Sequence, residues 1–111
     1  MADIISLKEN RDFRRLYGKG KSFVSPVVVT YLMKNRRRQV RYGITTSKKI
    51  GKAVQRNRSR RVIREAFRLL SPRIKPGYDF VFVARGKTPY VKSGEVKDAL
   101  EAQLKKAGVL L

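Results

Sequence analysis

The sequence predicts an α+β fold, a two-layer α/β sandwich in which helices pack on one small mixed sheet. Three observations lead to this expectation. Segments with helical and strand periodicity follow one another in the order α-β-β-β-α-β-α, a mixture typical of helices packed on a sheet. The chain has 111 residues, enough for one modest core and too few for two, so we expect a single domain over residues 1–111. A hydrophobic fraction of 41% is sufficient for a packed interior.

The first helix is predicted close to the start of the chain, with a length of about ten residues. Ser6 and Glu9 have the spacing of a capping box, and Asn10 is a competing N-cap. Gly18 and Gly20 are expected to end the helix. Residues three and four positions apart share one helical face. The apolar face of this helix consists of Phe13, Leu16 and Tyr17.

A β region follows the first helix. A short strand at 23–24 ends at Pro26, and residues 27–33 are rich in β-branched and aromatic side chains, which favours a second strand. Residues 35–39 are polar and suit a hairpin loop. The returning third strand is expected over 40–46.

The second half of the chain begins with a basic connection over 47–53 and continues with a strong helix from about 54 to 70. Prolines end that helix, and a nearly continuous apolar run at 78–84 predicts a strand buried on both faces. The last helix is expected to start near Ser93. Because helix 54–70 joins two strands, they can lie parallel, and the general rule makes such a crossover right-handed.

The charge balance points to a polyanionic partner. The chain has 28 Lys and Arg against 8 Asp and Glu, a formal net charge of +20. The complete absence of His and Cys excludes His or Cys general bases, Ser-His triads, the usual zinc sites and disulfides. No apolar run approaches the roughly 20 residues of a membrane span. We therefore expect a cytoplasmic protein without a membrane partner.

The strongest helix has one apolar and one cationic face. At about 100° per residue, its apolar arc is continuous. That arc consists of Val62, Ile63, Ala66, Phe67, Leu69 and Leu70. The opposite arc, apart from Glu65, consists of Asn57, Arg58, Arg60, Arg61, Arg64 and Arg68. Like charges four residues apart repel unless an anion is present, and the planar guanidinium fits phosphate in a bidentate way. The pattern predicts a surface for a phosphate backbone rather than a solvated face.

The wider basic stretch over 47–68 is a specific motif. It reads Ser47-Lys48-Lys49-Ile50-Gly51-Lys52, then Arg56-Asn57-Arg58, then Arg60-Arg61 and Ile63-Arg64-Glu65-Ala66-Phe67-Arg68. This pattern closely resembles the signature region of the protein subunit of bacterial ribonuclease P. Asn10-x-Asp12-Phe13, Arg41-Tyr42-Gly43-Ile44 and the strand 78–84 followed by Arg85 resemble the first helix, third strand and fourth strand of that family. The resemblance covers about residues 7–107 in the family's order.

The resemblance implies a fold and a function. The expected fold is the family's α/β sandwich with a left-handed β-α-β crossover, against the general rule. By this resemblance we expect an RNA-binding subunit that is not itself catalytic and that assists a large catalytic RNA, which uses Mg²⁺ to remove the 5′ leader from precursor tRNA. No catalytic residue, metal ligand or bound cofactor is expected on the protein, and DNA is not an expected partner. The resemblance assigns contact with the catalytic RNA to Lys48, Lys49, Lys52, Arg56, Asn57, Arg58, Arg60, Arg61, Arg64 and Arg68.

The resemblance also implies a cleft between the sheet and the helices that receives the single-stranded leader. Phe13 and Tyr17 match positions where the family places aromatic side chains in this cleft, although core packing of the first helix is an alternative role. The family often adds an aromatic residue on the second strand. Counting back from Gly43 places Thr30, with Val28, at that position. Neighbouring strand residues face opposite sides, so Tyr31 would serve the cleft only if the register were shifted.

Two further features of the sequence, and the function itself, have alternative interpretations. The loop Arg36-Arg37-Arg38 suits a solvated hairpin tip, and an additional RNA contact is the alternative. Glu95, Asp98 and Glu101 suit a solvated, charge-balancing face better than a metal site.

An alternative function is that of a structural ribosomal protein, which would also explain the charge and the basic helix. A protein-only nuclease is disfavoured because no carboxylate pair is expected at adjacent strand ends. Helix-turn-helix spacing, typical of DNA binding, is absent.

Overall fold

The computed structural model describes residues 4–111, in which three α-helices pack on one five-stranded mixed sheet. The strands are β1 (Ile4–Ser6), β2 (Lys21–Val24), β3 (Val28–Lys34), β4 (Val40–Thr45) and β5 (Tyr78–Ala84). The helices are α1 (Asn10–Lys19), α2 (Ala53–Leu70) and α3 (Ser93–Ala107). The predicted α+β class and the order of elements from α1 to α3 are confirmed. No helix among these residues is long and apolar enough to span a membrane.

The strands lie in the order β1-β4-β5-β3-β2. The pairs β1–β4 and β4–β5 are parallel, and the pairs β3–β5 and β2–β3 are antiparallel. Helix α2 joins the neighbouring parallel strands β4 and β5, as the sequence suggested, and the left-handed sense of this crossover stays a prediction. Strand β1 was not predicted, because three exposed residues at a sheet edge leave no alternation of buried and exposed positions.

Helix α1 does not begin as its capping pattern predicted. Glu9 is the N-cap, with an extended backbone and no side-chain cap hydrogen bond, whereas Ser6 lies in β1 and Asn10 is already helical. The last helical residue is Lys19, and the C-cap is Gly20, whose N–H donates to the Leu16 carbonyl at 2.9 Å. A Cβ at Gly20 would lie only 2.6 Å from that carbonyl oxygen, so the close approach requires glycine.

The main core lies between one face of the sheet and the layer of α2 and α3. Strand β5 is buried on both faces, as predicted, and the aromatic residues Phe67, Phe80 and Phe82 form the centre of this core. The apolar arc of α2 is narrower than predicted, since Leu69 remains 46% exposed. A smaller second core lies on the opposite face, beneath α1. This second core leaves much of that face available for a site.

Candidate nucleic-acid interface

Helix α1 crosses the face of the sheet that α2 and α3 leave uncovered, and it divides this face into two surfaces. Leu16 lies on the underside of the helix, where it is fully buried and packs with Leu7 and Val81. Tyr17 points towards the C-terminal end of β4, where its hydroxyl lies 2.6 Å from the Thr45 Oγ1. Arg15 points the other way, towards Asp79 near the start of β5. The two surfaces therefore differ in chemistry, one being aromatic and the other ionic.

The aromatic surface, which we call the aromatic cleft, is formed by Phe13, Tyr17, Tyr31 and Thr45. The rings of Tyr17 and Tyr31 meet edge to face with centroids 5.0 Å apart, and Tyr17 is 41% exposed. Phe13 lies directly over Gly43, where an added Cβ would be 2.4 Å from the ring. Glycine at this position therefore lets α1 approach the sheet closely enough for its aromatic side chains to line the cleft.

The expected contribution of Val28 and Thr30 to this cleft is wrong. Both residues are fully buried on the opposite face of the sheet, where the Thr30 hydroxyl donates to the Gln103 Oε1 at 2.6 Å. Tyr31 takes the cleft position instead, because Tyr31 and Gly43 both pair with Val81 and thus share its face.

No clear sequence signal singles out Tyr31. In the structure Val28, Thr30 and Leu32 are buried, and the intervening residues are partly exposed. The intervening set, with Tyr31 and Met33, is as apolar in the sequence as the buried set, so alternation alone does not tell which set faces the core. Counting back from β4 failed because it ignored how the strands pair. Thr45 was missed altogether, since no sequence pattern singles out one threonine at a strand end.

The basic connection before α2 forms a short 3-10 turn over Lys48–Ile50. The Ser47 hydroxyl accepts from the Lys49 N–H at 3.3 Å, and the buried Ile50 anchors the turn, so Lys48 and Lys49 remain exposed. Lys52 is the N-cap of α2, and the first turn of this helix contains no acidic residue. Cations at the positive end of a helix dipole are unfavourable. An anion bound at this place would balance both the lysine charges and the positive end of the dipole.

The predicted cationic residues of α2 fall into two groups. Arg61 and Arg64 are exposed, and no hydrogen-bond or ion-pair partner lies near them within residues 4–111. The others are held by neighbours. Arg56 donates to the Gly51 carbonyl, Arg58 to the Pro89 carbonyl, Arg60 to Thr46 and Asn57, and Arg68 to Glu65. These contacts hold four guanidinium groups against neighbouring parts of the protein, whereas Arg61 and Arg64 remain exposed and can meet a ligand. We call the surface formed by these arginines the cationic side of α2.

The aromatic cleft and the cationic side of α2 meet at the end of β4. Thr45 contacts Tyr17 in the cleft, and the adjacent Thr46 accepts a hydrogen bond from Arg60 of α2. A polyanion bound along α2 would therefore lie next to the cleft entrance.

The surface on the other side of α1 is built on a buried carboxylate. Asp79, whose side chain is 1% exposed, accepts two hydrogen bonds from Arg41 at 2.8 and 2.6 Å and one from Asn35 at 2.7 Å. Burial by itself raises the pKa of Asp79, but these hydrogen bonds outweigh it and the net pKa is lowered. Asp12 and Arg15 of α1 lie within 4 Å of this pair, which ties the helix to the sheet.

Within residues 4–111, the acidic side chains do not gather into a cluster of three that could hold a metal ion. Glu101 accepts from Arg73 at 2.7 Å and lies near Lys97 and Lys105, so its carboxylate balances basic side chains on α3. The hydrogen bond from Arg73 lowers the pKa of Glu101.

Comparisons with known proteins agree on one family. The sequence model of the family described as Ribonuclease P matches residues 1–108. The chain is 54% identical over 80 residues to the ribonuclease P protein component of Clostridioides difficile, with 71% of the chain and 70% of the relative covered. It is 40% identical over 109 residues to that of Clostridium kluyveri, with 96% and 97% covered.

Solved structures give the same result. The Staphylococcus aureus RNase P protein superposes with a TM-score of 0.83 at 36% identity, covering 96% of this chain and 97% of that one. The Thermotoga maritima RNase P protein superposes with a TM-score of 0.80 at 33% identity, covering 91% and 96%.

Proposed function

The chain belongs to the ribonuclease P protein family, and from this premise we propose that it binds two RNA segments on two distinct surfaces. As a ribonuclease P protein component it is the RNA-binding partner of the catalytic RNA in an RNA-based enzyme that processes tRNA. The cationic side of α2 with the preceding lysine turn binds the catalytic RNA. The aromatic cleft binds the single-stranded 5′ leader of precursor tRNA.

The assignment of the catalytic RNA to α2 rests on charge and exposure. Arg61 and Arg64 are exposed and lack protein partners among the residues described, so both can make phosphate contacts without breaking a native interaction. Lys48, Lys49 and Lys52 extend this surface to the helix N-terminus, where the dipole adds further positive potential. A large structured RNA presents the closely spaced phosphates that such an extended surface needs.

The assignment of the leader to the aromatic cleft rests on its aromatic side chains. Unpaired bases stack on exposed rings, and each stacked base contributes about 1–3 kcal/mol. Tyr17 and Tyr31 present such rings in an edge-to-face pair, while Phe13 is held in place by its contact with Gly43. Base stacking tolerates any base, which suits a leader of variable sequence.

We propose that the protein does not perform the cleavage itself and that Mg²⁺ is held by the catalytic RNA. Two carboxylates between α1 and the sheet are engaged by guanidinium groups, as Asp79 is by Arg41 and Asp12 is by Arg15 and Arg41. This donor set does not fit a divalent ion, because each of these two carboxylates already balances an arginine. The protein's contribution is to position the substrate and the catalytic RNA.

The single observation that carries this proposal is the junction at the end of β4, where Thr45 faces the cleft and Thr46 faces Arg60. The two proposed RNA surfaces are adjacent there, so a precursor tRNA docked on the catalytic RNA can pass its leader directly into the cleft. A structural ribosomal protein, the alternative function, would need the cationic helix but not an adjoining aromatic cleft.

The experiment measures cleavage of precursor tRNA by a bacterial ribonuclease P RNA at a series of Mg²⁺ concentrations, with and without the protein. We expect the protein to lower the Mg²⁺ concentration needed for cleavage, and the protein alone to cleave nothing. Metal-dependent cleavage by RNA-free protein would contradict the non-catalytic role. An unchanged Mg²⁺ requirement would contradict the assistance to the catalytic RNA.

A further inference from the structure

We propose that a basic hollow on the far side of α1 from the aromatic cleft is a second binding site for single-stranded RNA. We call it the arginine basin, and we infer that it takes the upstream nucleotides of a long leader after they have passed over α1. The inference rests on the proposed role of the aromatic cleft as the first leader site.

The arginine basin is an open cavity between the start of α1, strand β1 and the β3–β4 hairpin, with a volume of about 980 Å³. Seven basic and only two acidic side chains line it. Apolar side chains, among them Met33 and Ile5, form part of its wall, which gives an unpaired base an apolar surface beside the charges. Basic side chains can contact the phosphates of an RNA while neighbouring apolar side chains contact its bases. This combination suits a single strand, whose bases are unpaired, better than a duplex.

The charge of the basin is not neutralised from within. Asp79 and Asp12 are engaged by Arg41 and Arg15, and Glu9 is paired with Arg11 at 2.8 Å. Among the residues described, no carboxylate lies within ion-pair distance of the four remaining cations of the basin. These cations are Lys8, Lys34, Arg36 and Arg37. Repulsion among them is unfavourable in the free protein and is relieved when a polyanion enters.

The hairpin that carries these arginines is fixed rather than a loose tip. The Asn35 N–H donates to the Gly77 carbonyl at 2.8 Å, and the Gly77 N–H donates to the Gln39 carbonyl at 2.9 Å. The Asn35 side chain bridges inward to Asp79 and accepts from the Arg37 N–H at 2.9 Å. Gly77 has a φ of +94°, a conformation that favours glycine. The fold thus holds Arg36 and Arg37 at the rim of the basin.

The outer side of α1 offers a path between the two surfaces. A helix with its side chains is about 10–12 Å across, so only a strand that extends beyond the cleft can reach the basin. A Cβ added at Gly18 would meet nothing within 4 Å, and the exposed Arg14 lies one turn before it. Short leaders should therefore fill the cleft alone, and longer leaders should gain additional affinity from the basin.

The test uses the reconstituted holoenzyme and precursor tRNAs whose leaders are lengthened stepwise. Wild type should bind more tightly once the leader passes α1, and the Arg36→Ala/Arg37→Ala variant should lose that gain while keeping its affinity for short leaders. The salt slope for the long leader should fall by about 1.4, since each of the two single-strand phosphates released by the variant accounts for about 0.7. Arg38→Ala is the matched control, since Arg38 belongs to the same hairpin but does not line the basin. It should retain the full gain.

Three outcomes would overturn the inference. The first is a length-dependent gain that survives in the double variant. The second is an equal loss in Arg38→Ala, which would reveal only a general effect of charge. The third is a loss of affinity for the catalytic RNA, or an equal loss with mature tRNA, which would place the basin against another RNA segment. The short-leader affinity of Tyr31→Ala tests the aromatic cleft separately, so failure of the basin and failure of the cleft are distinguishable.

Discussion

Tyr17 of α1 and Tyr31 of β3 meet edge to face, with ring centroids 5.0 Å apart and an interplanar angle of 82°. The pair joins two elements on the face of the sheet opposite the main core. Burial of the pair is incomplete, since Tyr17 is 41% exposed and Tyr31 only partly buried. Two rings in this arrangement stiffen each other and still present surface on which a base can stack.

Replacing Tyr31 by Ala should weaken the binding of precursor tRNA to the holoenzyme by roughly 1–3 kcal/mol, because one stacking surface is removed. Affinity for mature tRNA, which has no leader, should hardly change. Thr30→Val is the control from the opposite face. It removes the hydrogen bond to Gln103 and should lower the free energy of unfolding by about 1–3 kcal/mol without a specific effect on the leader. Equal losses for precursor and mature tRNA in Tyr31→Ala would remove this residue from the leader site.

Replacing Gly43 by Ala should push α1 away from the sheet, because the added Cβ would lie 2.4 Å from the Phe13 ring. We expect a loss of about 1–3 kcal/mol in the free energy of unfolding, typical of an overpacked site, and weaker binding of precursor tRNA. Gly94→Ala is a suitable comparison, since nothing lies within 4 Å of a Cβ at that position. Denaturant unfolding and tRNA binding measure the two effects. Wild-type behaviour of Gly43→Ala would contradict the close approach of Phe13 to the sheet.

Replacing Arg64 by Ala should weaken binding to the catalytic RNA and reduce the salt slope by about one unit, because one phosphate is no longer neutralised. Stability should be unchanged, because Arg64 is exposed and has no partner within residues 4–111. Arg60→Ala should show the same fall in slope together with a small loss of stability, since Arg60 also bonds Thr46 and Asn57. Melting curves beside binding isotherms at several salt concentrations distinguish the two variants. An unchanged slope with lowered stability would show that Arg64 faces the core rather than RNA.

Replacing Asp79 by Asn should lower the free energy of unfolding at neutral pH by roughly 3 kcal/mol, because the largely buried Arg41 loses its counter-charge. The folded-state pKa of Asp79 is lowered, so its ionised form stabilises the fold above about pH 4, the ordinary range of an aspartate. This contribution disappears as the pH falls through the lower folded pKa. The stability difference between wild type and variant should therefore be constant from about pH 5 to 8 and shrink in acid. A difference that grows in acid would contradict the ion pair.

Most of the fold was predictable because local patterns agreed with the tertiary structure. The apolar run at 78–84 matches a strand buried on both faces, and the cationic arc of α2 matches its exposed side. Strand β1 was not predicted, because its three residues are recognised as a strand only by their pairing with β4. The N-cap at Glu9 was not predicted for a related reason, since Ser6, which could have formed the cap, lies in that strand.

The site was predictable where it depends on one element and unpredictable where it depends on two. The cationic residues of α2 share a face by helical geometry alone, so their spacing in the sequence was sufficient. The aromatic cleft depends on how β3, β4 and β5 pair, and a register error of one residue exchanged Tyr31 for Thr30. The arginine basin needs the hairpin to be held against Gly77, an interaction that residues 35–39 by themselves do not reveal.

The central claim is that two separate surfaces bind two RNA segments, and a pair of variants tests it most directly. Affinities for the catalytic RNA, for precursor tRNA and for mature tRNA are measured with Tyr17→Ala and with Arg61→Ala/Arg64→Ala, alongside melting curves. Tyr17→Phe serves as the conservative control, since it keeps the ring and loses only the hydroxyl bonded to Thr45.

We predict that Tyr17→Ala weakens precursor tRNA binding alone by roughly 1–3 kcal/mol, and that Tyr17→Phe is milder. The arginine variant should weaken assembly with the catalytic RNA, and its assembled holoenzyme should keep the preference for precursor over mature tRNA. Loss of assembly and of both tRNA affinities together in Tyr17→Ala, with a lowered melting temperature, would contradict the account, because Tyr17 would then be a packing residue and the two surfaces would not be separable.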